Sequence, residues 1–159
     1  MQDARVRQSS TIEGLYRTQG PVMWRSLLAF TASPEVADDA LSEAFAQAIA
    51  RGEELHDAAA WIWRAAFRIA AGELKERRTR FSELGDPEVG YFFPEPLLHV
   101  FEALSHLSPN QRAAIVLHDY ADRPVAEVAA TLGASRATVY VHLSKGRRRL
   151  RSLLEDDDA

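Results

Sequence analysis

Apolar side chains recur every three or four residues along most of this chain, which is the spacing of one helix face. The clearest case begins at Ser33-Pro34-Glu35, which combines an N-cap residue, a proline at the first helical position and an acid in the first turn. The following residues predict a helix to about Ala50, with an apolar side at Val36, Ala40, Phe45 and Ile49. No stretch alternates apolar and polar residues as a strand does, so we expect an all-α protein.

Two further helical segments flank this helix. Residues 12–30 predict one or two helices, because Gly20-Pro21 is a candidate break. Asp57 is positioned to cap a long helix over residues 58–78, which ends in a basic run. The first domain is therefore predicted to be helical and to span residues 1–80.

The helical pattern stops over residues 81–96, FSELGDPEVGYFFPEP, which contain three prolines and two glycines. A segment of this length without periodic apolar residues usually separates domains. We predict an extended acidic linker here and a second helical domain over residues 97–159. The run Tyr91-Phe92-Phe93 argues against full exposure of the linker, because adjacent aromatic side chains tend to be covered.

The last third of the chain predicts a helix-turn-helix. Ser108 and Gln111 have the spacing of a capping box, and Pro124 can open a short helix. Gly133 then supplies a turn, and Ser135 is a candidate N-cap for a second helix. In DNA-binding proteins with this motif, the second helix enters the major groove.

That second helix separates apolar from polar residues. Its apolar stripe consists of Val139, Leu143, Gly146, Leu150 and Leu153. Its opposite side carries Ala137, Thr138, Val141, Ser144, Lys145 and Arg148. Steps of three and four keep each set on one face, so several cations project away from the core, where phosphate is the expected target. The alternative is a solvated helix end whose arginines complement the helix dipole.

Charge is distributed unevenly over the 159 residues, which carry a formal net charge of -4. Residues 1–80 are neutral, residues 81–107 carry five acids and no base, and residues 108–159 carry eight bases against seven acids. Positive charge thus concentrates in the C-terminal helix, which permits nucleic-acid binding despite the acidic total.

Composition and residue types exclude several classes of protein. Hydrophobic residues make up 47% of the chain, but no apolar run is long enough to cross a membrane, and the N-terminus lacks the apolar core of a secretion signal. There is no cysteine, which excludes disulfides and cysteine-ligated zinc and is typical of a cytoplasmic protein. His99 and His106 can share a helix face, but no further ligands accompany them. We predict a cytoplasmic protein without catalytic centre, metal or cofactor.

Both halves resemble one family. Residues 103–154, ALSHLSPNQRAAIVLHDYADRPVAEVAATLGASRATVYVHLSKGRRRLRSLL, resemble region 4 of bacterial RNA polymerase sigma factors of the extracytoplasmic-function (ECF) group. Residues 15–50 and 59–78 resemble region 2 of the same family. The order and spacing match over most of the chain, and the co-occurrence of both halves with a linker between them makes the resemblance specific.

The resemblance implies three functional surfaces. It places polymerase binding on Asp38, Asp39, Ser42, Glu43 and Gln47. It places contacts to the promoter -10 element on Trp61, Arg64, Arg68, Lys75, Arg77 and Arg78. It places contacts to the -35 element on Arg112, Arg136, Ala137, Thr138, Tyr140, Val141, His142, Lys145 and Arg148. Aromatic and cationic side chains suit unstacked bases and phosphate, which agrees with these assignments.

The chain departs from the family pattern at three places. Ser42 stands where the family has a glutamine in its polymerase-binding helix, and Phe67-Arg68 replaces the usual arginine-asparagine pair. In the second helix, ATVYVHL over residues 137–143 replaces the common GTVKSRL, so its outer surface carries fewer cations.

The predicted function is a promoter-specificity subunit that binds core RNA polymerase and recognises -10 and -35 elements. Core polymerase and promoter DNA are the implied partners, an anti-sigma factor is a further candidate partner, and no membrane insertion is expected. Two alternatives remain. One is a stand-alone helix-turn-helix regulator, and the other is a divergent sigma-like protein that binds polymerase without melting DNA.

Overall fold

The structure is a computed structural model that describes residues 2–80 and 95–157. In the first half, α1 spans Gln2–Thr31, α2 spans Pro34–Arg51, a short 3-10 turn spans Gly52–Glu54, and α3 spans Ala58–Arg80. In the second half, α4 spans Glu95–Ser105, α5 spans Pro109–Ile115, a π-helical turn spans Val116–Tyr120, α6 spans Val125–Leu132, and α7 spans Arg136–Asp157. The described residues contain no strand, which confirms the all-α fold class.

The predicted N-caps hold the starts of α2, α3 and α5. The Ser33 hydroxyl accepts a hydrogen bond from the backbone N–H of Val36 at 3.2 Å, and the Asp57 carboxylate accepts one from the N–H of Ala60 at 3.0 Å. Both hydrogen bonds of the predicted capping box at Ser108 are present. These bonds satisfy N–H groups that the first helical turn leaves without partners, so short local motifs set where these helices begin.

Helix α1 continues through Gly20-Pro21 without a break. A proline inside a helix removes one hydrogen bond and usually costs about 3 kcal/mol. Here Ile12 before the proline and Met23 after it are both buried in the same core, at 1% and 0% exposure. Packing on both sides of Pro21 therefore keeps the helix in one piece.

Helix α2 buries a different stripe from the one expected at its C-terminal end. Ile49, which the sequence placed on the apolar side, is 57% exposed. The buried face instead consists of Val36, Ala37, Ala40, Leu41, Ala44, Phe45 and Ala48. Small alanines on this face allow α2 to pack against both α1 and α3.

The two halves share one contiguous core. Buried residues of α1, α2 and α3 form a single cluster with buried residues of α4 to α7. Phe30 and Phe67, from α1 and α3, are 4% and 2% exposed, and α3 packs against α6 across the boundary between the halves. The predicted linker falls almost wholly on residues 81–94, which lie outside the described residues, and α4 begins at Glu95, two residues before the predicted start.

Candidate nucleic-acid and polymerase interfaces

The turn between α6 and α7 has the geometry of a helix-turn-helix. Gly133 adopts a left-handed conformation with φ of 63°, which a glycine accepts without strain. The backbone N–H of Ala134 then bonds to the carbonyl of Ala129 at 2.9 Å, which closes α6. Ser135 caps α7 through a hydrogen bond from the N–H of Thr138 at 3.1 Å. Local backbone chemistry thus fixes the direction in which α7 leaves the turn.

The inner face of α7 packs tightly against the rest of the second half. Val139 and Leu143 are fully buried, at 0% and 1% exposure. A Cβ atom built on Gly146 would lie 2.7 Å from Cδ1 of Ile115, so a side chain at residue 146 would require the Ile115 side chain to shift. The predicted apolar stripe is therefore the face that α7 turns to the core.

The outer face of α7 is open to solvent in its first half. Tyr140 and Val141 are 59% and 49% exposed, unusual values for large apolar side chains. The same face also presents the exposed residues Arg136, Ala137, Thr138, Lys145 and Arg148, with His142 half-buried beside them. Every residue of α7 for which DNA contact was predicted is at least partly accessible, so the helix can be approached from this side.

One basic residue of α7 is held by a carboxylate. The Arg147 guanidinium donates hydrogen bonds to both carboxylate oxygens of Asp119, at 2.6 and 2.9 Å. That hydrogen bonding raises the pKa of Arg147, and the attraction of the carboxylate adds to the effect. The sequence pattern did not predict the π-helical turn that contains Asp119, so it predicted no partner for Arg147.

Arg112, predicted to contact the -35 element, is buried. Only 6% of its surface is exposed, and its guanidinium carbon lies 5.4 Å from the centre of the Phe30 ring. This distance is within the range of a cation–π contact. Since Phe30 belongs to the first half, the packing of the halves covers Arg112, and DNA can meet this residue only if the halves separate.

The polar face of α2 is accessible. Asp39, Ser42 and Glu43 are exposed, and Gln47 is half-buried and donates a hydrogen bond to the Glu43 carboxylate at 2.9 Å. Asp38 accepts a hydrogen bond from the indole N–H of Trp24 at 2.6 Å. The five residues predicted to bind polymerase therefore form a polar stripe, although Asp38 is also engaged with α1.

Beside the end of α2 is a concave pocket of about 260 Å³. Its lining combines Gln47, Arg51, Trp61, Arg64, Ala65, Arg68 and Ile69. The Arg51 guanidinium carbon lies 5.0 Å from the centre of the Trp61 ring. An aromatic surface among three arginines suits a base with its phosphate. The resemblance assigned Trp61, Arg64 and Arg68 to the -10 element individually and Arg51 only as the start of the loop over residues 51–57, and the packing of α2 on α3 brings all four to the pocket.

The other basic and aromatic residues of α3 differ in position. Lys75 is exposed, whereas the side chains of Arg77 and Arg78 lie outside the described residues. Trp63, a further candidate stacking surface, is only 3% exposed and donates its indole N–H to Gln19 at 3.0 Å. Trp63 therefore belongs to the core in this arrangement, and Trp61 is the tryptophan of α3 that faces the pocket.

The described residues contain no group of three or more histidine, cysteine, aspartate or glutamate side chains that could hold a metal ion. Within the same part of the chain, no helix is long and apolar enough to cross a membrane.

The sequence is similar to a known family and to a known protein. Residues 98–150 match the family described as Sigma-70, region 4. The chain is 27% identical over 168 aligned positions to the ECF RNA polymerase sigma factor SigL of Mycobacterium tuberculosis, and the match covers 96% of this chain and 94% of that protein.

Two solved structures share the fold. One is the sigma factor RpoE in complex with the anti-sigma factor NepR from Bartonella quintana, with a TM-score of 0.70 and 20% identity over 85% of this chain and 91% of the other. The second is CnrH in complex with the cytosolic domain of CnrY, with a TM-score of 0.73 and 21% identity over 97% and 96% of the two chains. The predicted resemblance to ECF sigma factors is confirmed, and it extends over both halves of the chain.

Proposed function

From the similarity of this chain to ECF sigma factors, we propose that it is a promoter-specificity subunit that binds core RNA polymerase and directs transcription initiation at promoters with -10 and -35 elements. The observation that carries the proposal is the exposed outer face of α7, which lies within the residues matched by sigma region 4. Tyr140 and Val141 project from it, and Lys145 and Arg148 follow one to two turns later.

Contacts to the -35 element divide along α7. The N-terminal part of a recognition helix usually meets base edges, so Ala137, Thr138, Tyr140 and Val141 supply sequence preference. An outward valine is suited to contact a thymine methyl group. Lys145 and Arg148 lie further along the helix and meet phosphates, which position the protein without distinguishing bases.

The pocket at Trp61 is the proposed contact with the single-stranded -10 element. Stacking of a base on an aromatic ring contributes about 1–3 kcal/mol and tolerates any base. Arg51, Arg64 and Arg68 supply positive charge for the backbone beside that ring.

Polymerase is proposed to bind the polar stripe of α2. Exposed carboxylates at Asp39 and Glu43 suit a basic surface on the polymerase and favour fast, oriented association. One similar structure is a complex of a sigma factor with an anti-sigma factor, which supports an anti-sigma factor as a further partner of this chain. The role requires no catalytic centre of its own, and its place of action is the cytoplasm, where polymerase and promoters meet.

The test is reconstitution with core polymerase. The purified chain is mixed with core enzyme, the complex is isolated by gel filtration, and its transcripts from a library of genomic fragments are sequenced. A one-to-one complex that starts transcripts at fragments sharing two spaced elements supports the proposal.

Three other results would count against the proposal. Binding of a palindromic DNA site by a dimer, without any polymerase complex, would favour a stand-alone regulator. A stable polymerase complex that starts no transcripts, even on templates already unpaired around the start site, would favour a polymerase-binding protein without initiation activity. A complex active only on such unpaired templates would favour the divergent sigma-like protein that binds polymerase without melting DNA.

A further inference from the structure

The first turns of α7 lack the side chains that most often read bases in duplex DNA. Residues 137–144, ATVYVHLS, contain no arginine, lysine, asparagine, glutamine, aspartate or glutamate. Arginine and lysine usually contact guanine, asparagine and glutamine contact adenine, and carboxylates accept a hydrogen bond from the amino group of cytosine. Arg136 has such a side chain, but it lies before this segment, at the first position of the helix. The base contacts of residues 137–144 must therefore use another chemistry.

Ala137 and Val141 lie at the centre of the outer face of α7. Val139 and Leu143 point into the core, at 0% and 1% exposure. At about 100° per residue, the direction opposite to these two side chains is that of Val141, and Ala137 lies about 40° from it. Val141 is 49% exposed, and Ala137 is exposed as well. The side chains that come nearest to a groove on this side therefore bear only methyl groups.

The polar residues beside this centre are less suited to read bases. The hydroxyl groups of Thr138 and Ser135 form a hydrogen bond with each other at 3.0 Å, so the Thr138 hydroxyl is already engaged within the protein. His142 is half-buried. Tyr140 is 59% exposed, but it lies about 100° from Val141 around the helix. When Val141 faces the floor of a groove, Tyr140 therefore faces its wall.

A methyl-bearing surface is complemented by a methyl group in the major groove. Thymine presents one there, on ring carbon C5. 5-Methylcytosine carries its methyl group on the same ring carbon. Contact between methyl groups removes apolar surface from water, and burial of one such group changes affinity about fourfold. The centre of the outer face thus fits pyrimidines that carry a C5-methyl group.

The spacing of Ala137 and Val141 sets the spacing of the methyl groups. The two residues are four positions apart, which is about 6 Å along a helix axis. Successive base pairs are about 3.4 Å apart. A helix that lies along the groove therefore brings the two side chains to base pairs about two steps apart. Valine has the larger apolar surface, so the contact of Val141 is the stronger one.

We propose that α7 recognises the -35 element through C5-methyl groups of pyrimidines, with Ala137 and Val141 as the residues that determine specificity. The element then contains two such pyrimidines about two base-pair steps apart. Because thymine and 5-methylcytosine share the methyl group, methylation of a cytosine at either position strengthens binding. The inference rests on the proposed function, since it names the chemistry by which the -35 contact selects its sequence.

The test removes single methyl groups from the DNA. The full chain in complex with core polymerase is titrated with a fluorescent promoter duplex, in which the -10 element is held constant and the -35 element is the one that the transcript library identifies. Deoxyuridine replaces each thymine of the -35 element in turn, which deletes the C5-methyl group and leaves the hydrogen-bonding atoms of the base in place. Fluorescence anisotropy gives the affinity ratio for each position.

We expect deoxyuridine to weaken binding about fourfold at two positions about two steps apart, and to leave affinity unchanged at other thymines. At the same two positions, 5-methylcytosine should bind about fourfold more tightly than cytosine. This second comparison shows whether the methyl group acts on either pyrimidine or only as part of thymine. A gain that is absent for 5-methylcytosine, with the loss for deoxyuridine present, would overturn the shared-methyl part of the proposal.

Two variants assign the contact to a residue. Val141→Ala should reduce the thymine-to-deoxyuridine ratio at one of the two positions and leave the ratio at the other unchanged, because it shortens only one of the two contacting side chains. Arg148→Ala is the control, since a phosphate contact should lower all affinities together and leave both ratios unchanged. Circular dichroism confirms that helix content is the same in both variants. Ratios that Val141→Ala leaves unchanged would overturn the role of Val141.

The outcomes separate this inference from the proposed function. Sequence-specific initiation with equal affinity for thymine and deoxyuridine at every position would overturn the methyl readout, while the proposed function stands. If no initiating complex forms, the same substitutions are made in the duplex that the free chain enriches from a random library. A methyl effect there that depends on Val141 would support the inference although the proposed function had failed, and enrichment of no duplex would overturn both.

Discussion

Arg147 and Asp119 form a bidentate ion pair that joins the middle of α7 to the π-helical turn after α5, with N–O distances of 2.6 and 2.9 Å. The pair links the middle of α7 to the π-helical turn, which precedes the helix-turn-helix in the chain. It also withdraws one cation from the basic end of α7, so Lys145 and Arg148 remain the cations assigned to phosphate.

We expect Arg147→Ala to lower the free energy of unfolding by about 1 kcal/mol, at the upper end for exposed ion pairs because the geometry is bidentate. Urea denaturation followed by circular dichroism measures the change, and Arg149→Ala, an exposed arginine on the same helix, is the control. The raised pKa of Arg147 means that its stabilising contribution is present below the unfolded-state pKa and is lost only in strongly basic solution. The arginine therefore adds no pH dependence of stability near neutrality. If Arg147→Ala and Arg149→Ala lowered the free energy of unfolding equally, the assigned role of the ion pair would be wrong.

A second prediction concerns the contact between Gly146 and Ile115. Gly146→Ala should destabilise the protein by about 1 kcal/mol, because overpacking costs about 1–3 kcal/mol and the better helix propensity of alanine recovers about 1 kcal/mol. Removal of Cδ1 in the double variant with Ile115→Val should make the combined loss smaller than the sum of the single losses. Gly72→Ala, where the new Cβ meets open space, should instead stabilise. Additive losses in the double-mutant cycle would show that the contact with Cδ1 of Ile115 is not what makes a side chain at residue 146 unfavourable.

The third prediction separates base contacts from phosphate contacts on α7. Arg148→Ala should weaken binding to all duplex sequences and reduce the dependence of log K on log salt by about one unit. Val141→Ser should cost about 1 kcal/mol on the preferred -35 sequence and little on others. Anisotropy titrations of the polymerase complex at several salt concentrations measure both effects. A change of sequence preference in Arg148→Ala, with none in Val141→Ser, would reverse the assignment of the two parts of the helix.

The fourth prediction tests the polar stripe of α2. Asp39→Arg combined with Glu43→Arg should abolish co-purification with core polymerase while helix content stays unchanged, because reversed charges oppose the complementary surface. Glu102→Arg combined with Glu155→Arg makes the same change of net charge at exposed sites in the second half. The control should retain binding. If the α2 variant bound core polymerase as well as the parent does, the assignment of polymerase binding to this face would be wrong.

The sequence by itself determined the helices and where they start. Caps such as Ser33, Asp57 and Ser135 act on N–H groups within three residues, and helical periodicity is equally local. The left-handed turn at Gly133 and the buried stripe of α7 also followed from short-range chemistry, and so did the outward direction of Val141.

Only the tertiary structure decided which partners the arginines find. Arg68 meets Ala130, Arg112 meets Phe30 and Arg147 meets Asp119, and each pair is far apart in the sequence. The continuity of α1 through Pro21 and the exposure of Ile49 likewise depend on what packs against those helices. An arginine has the same local pattern whether it faces solvent, DNA or another helix, because its long side chain takes its partner from the packing of distant elements.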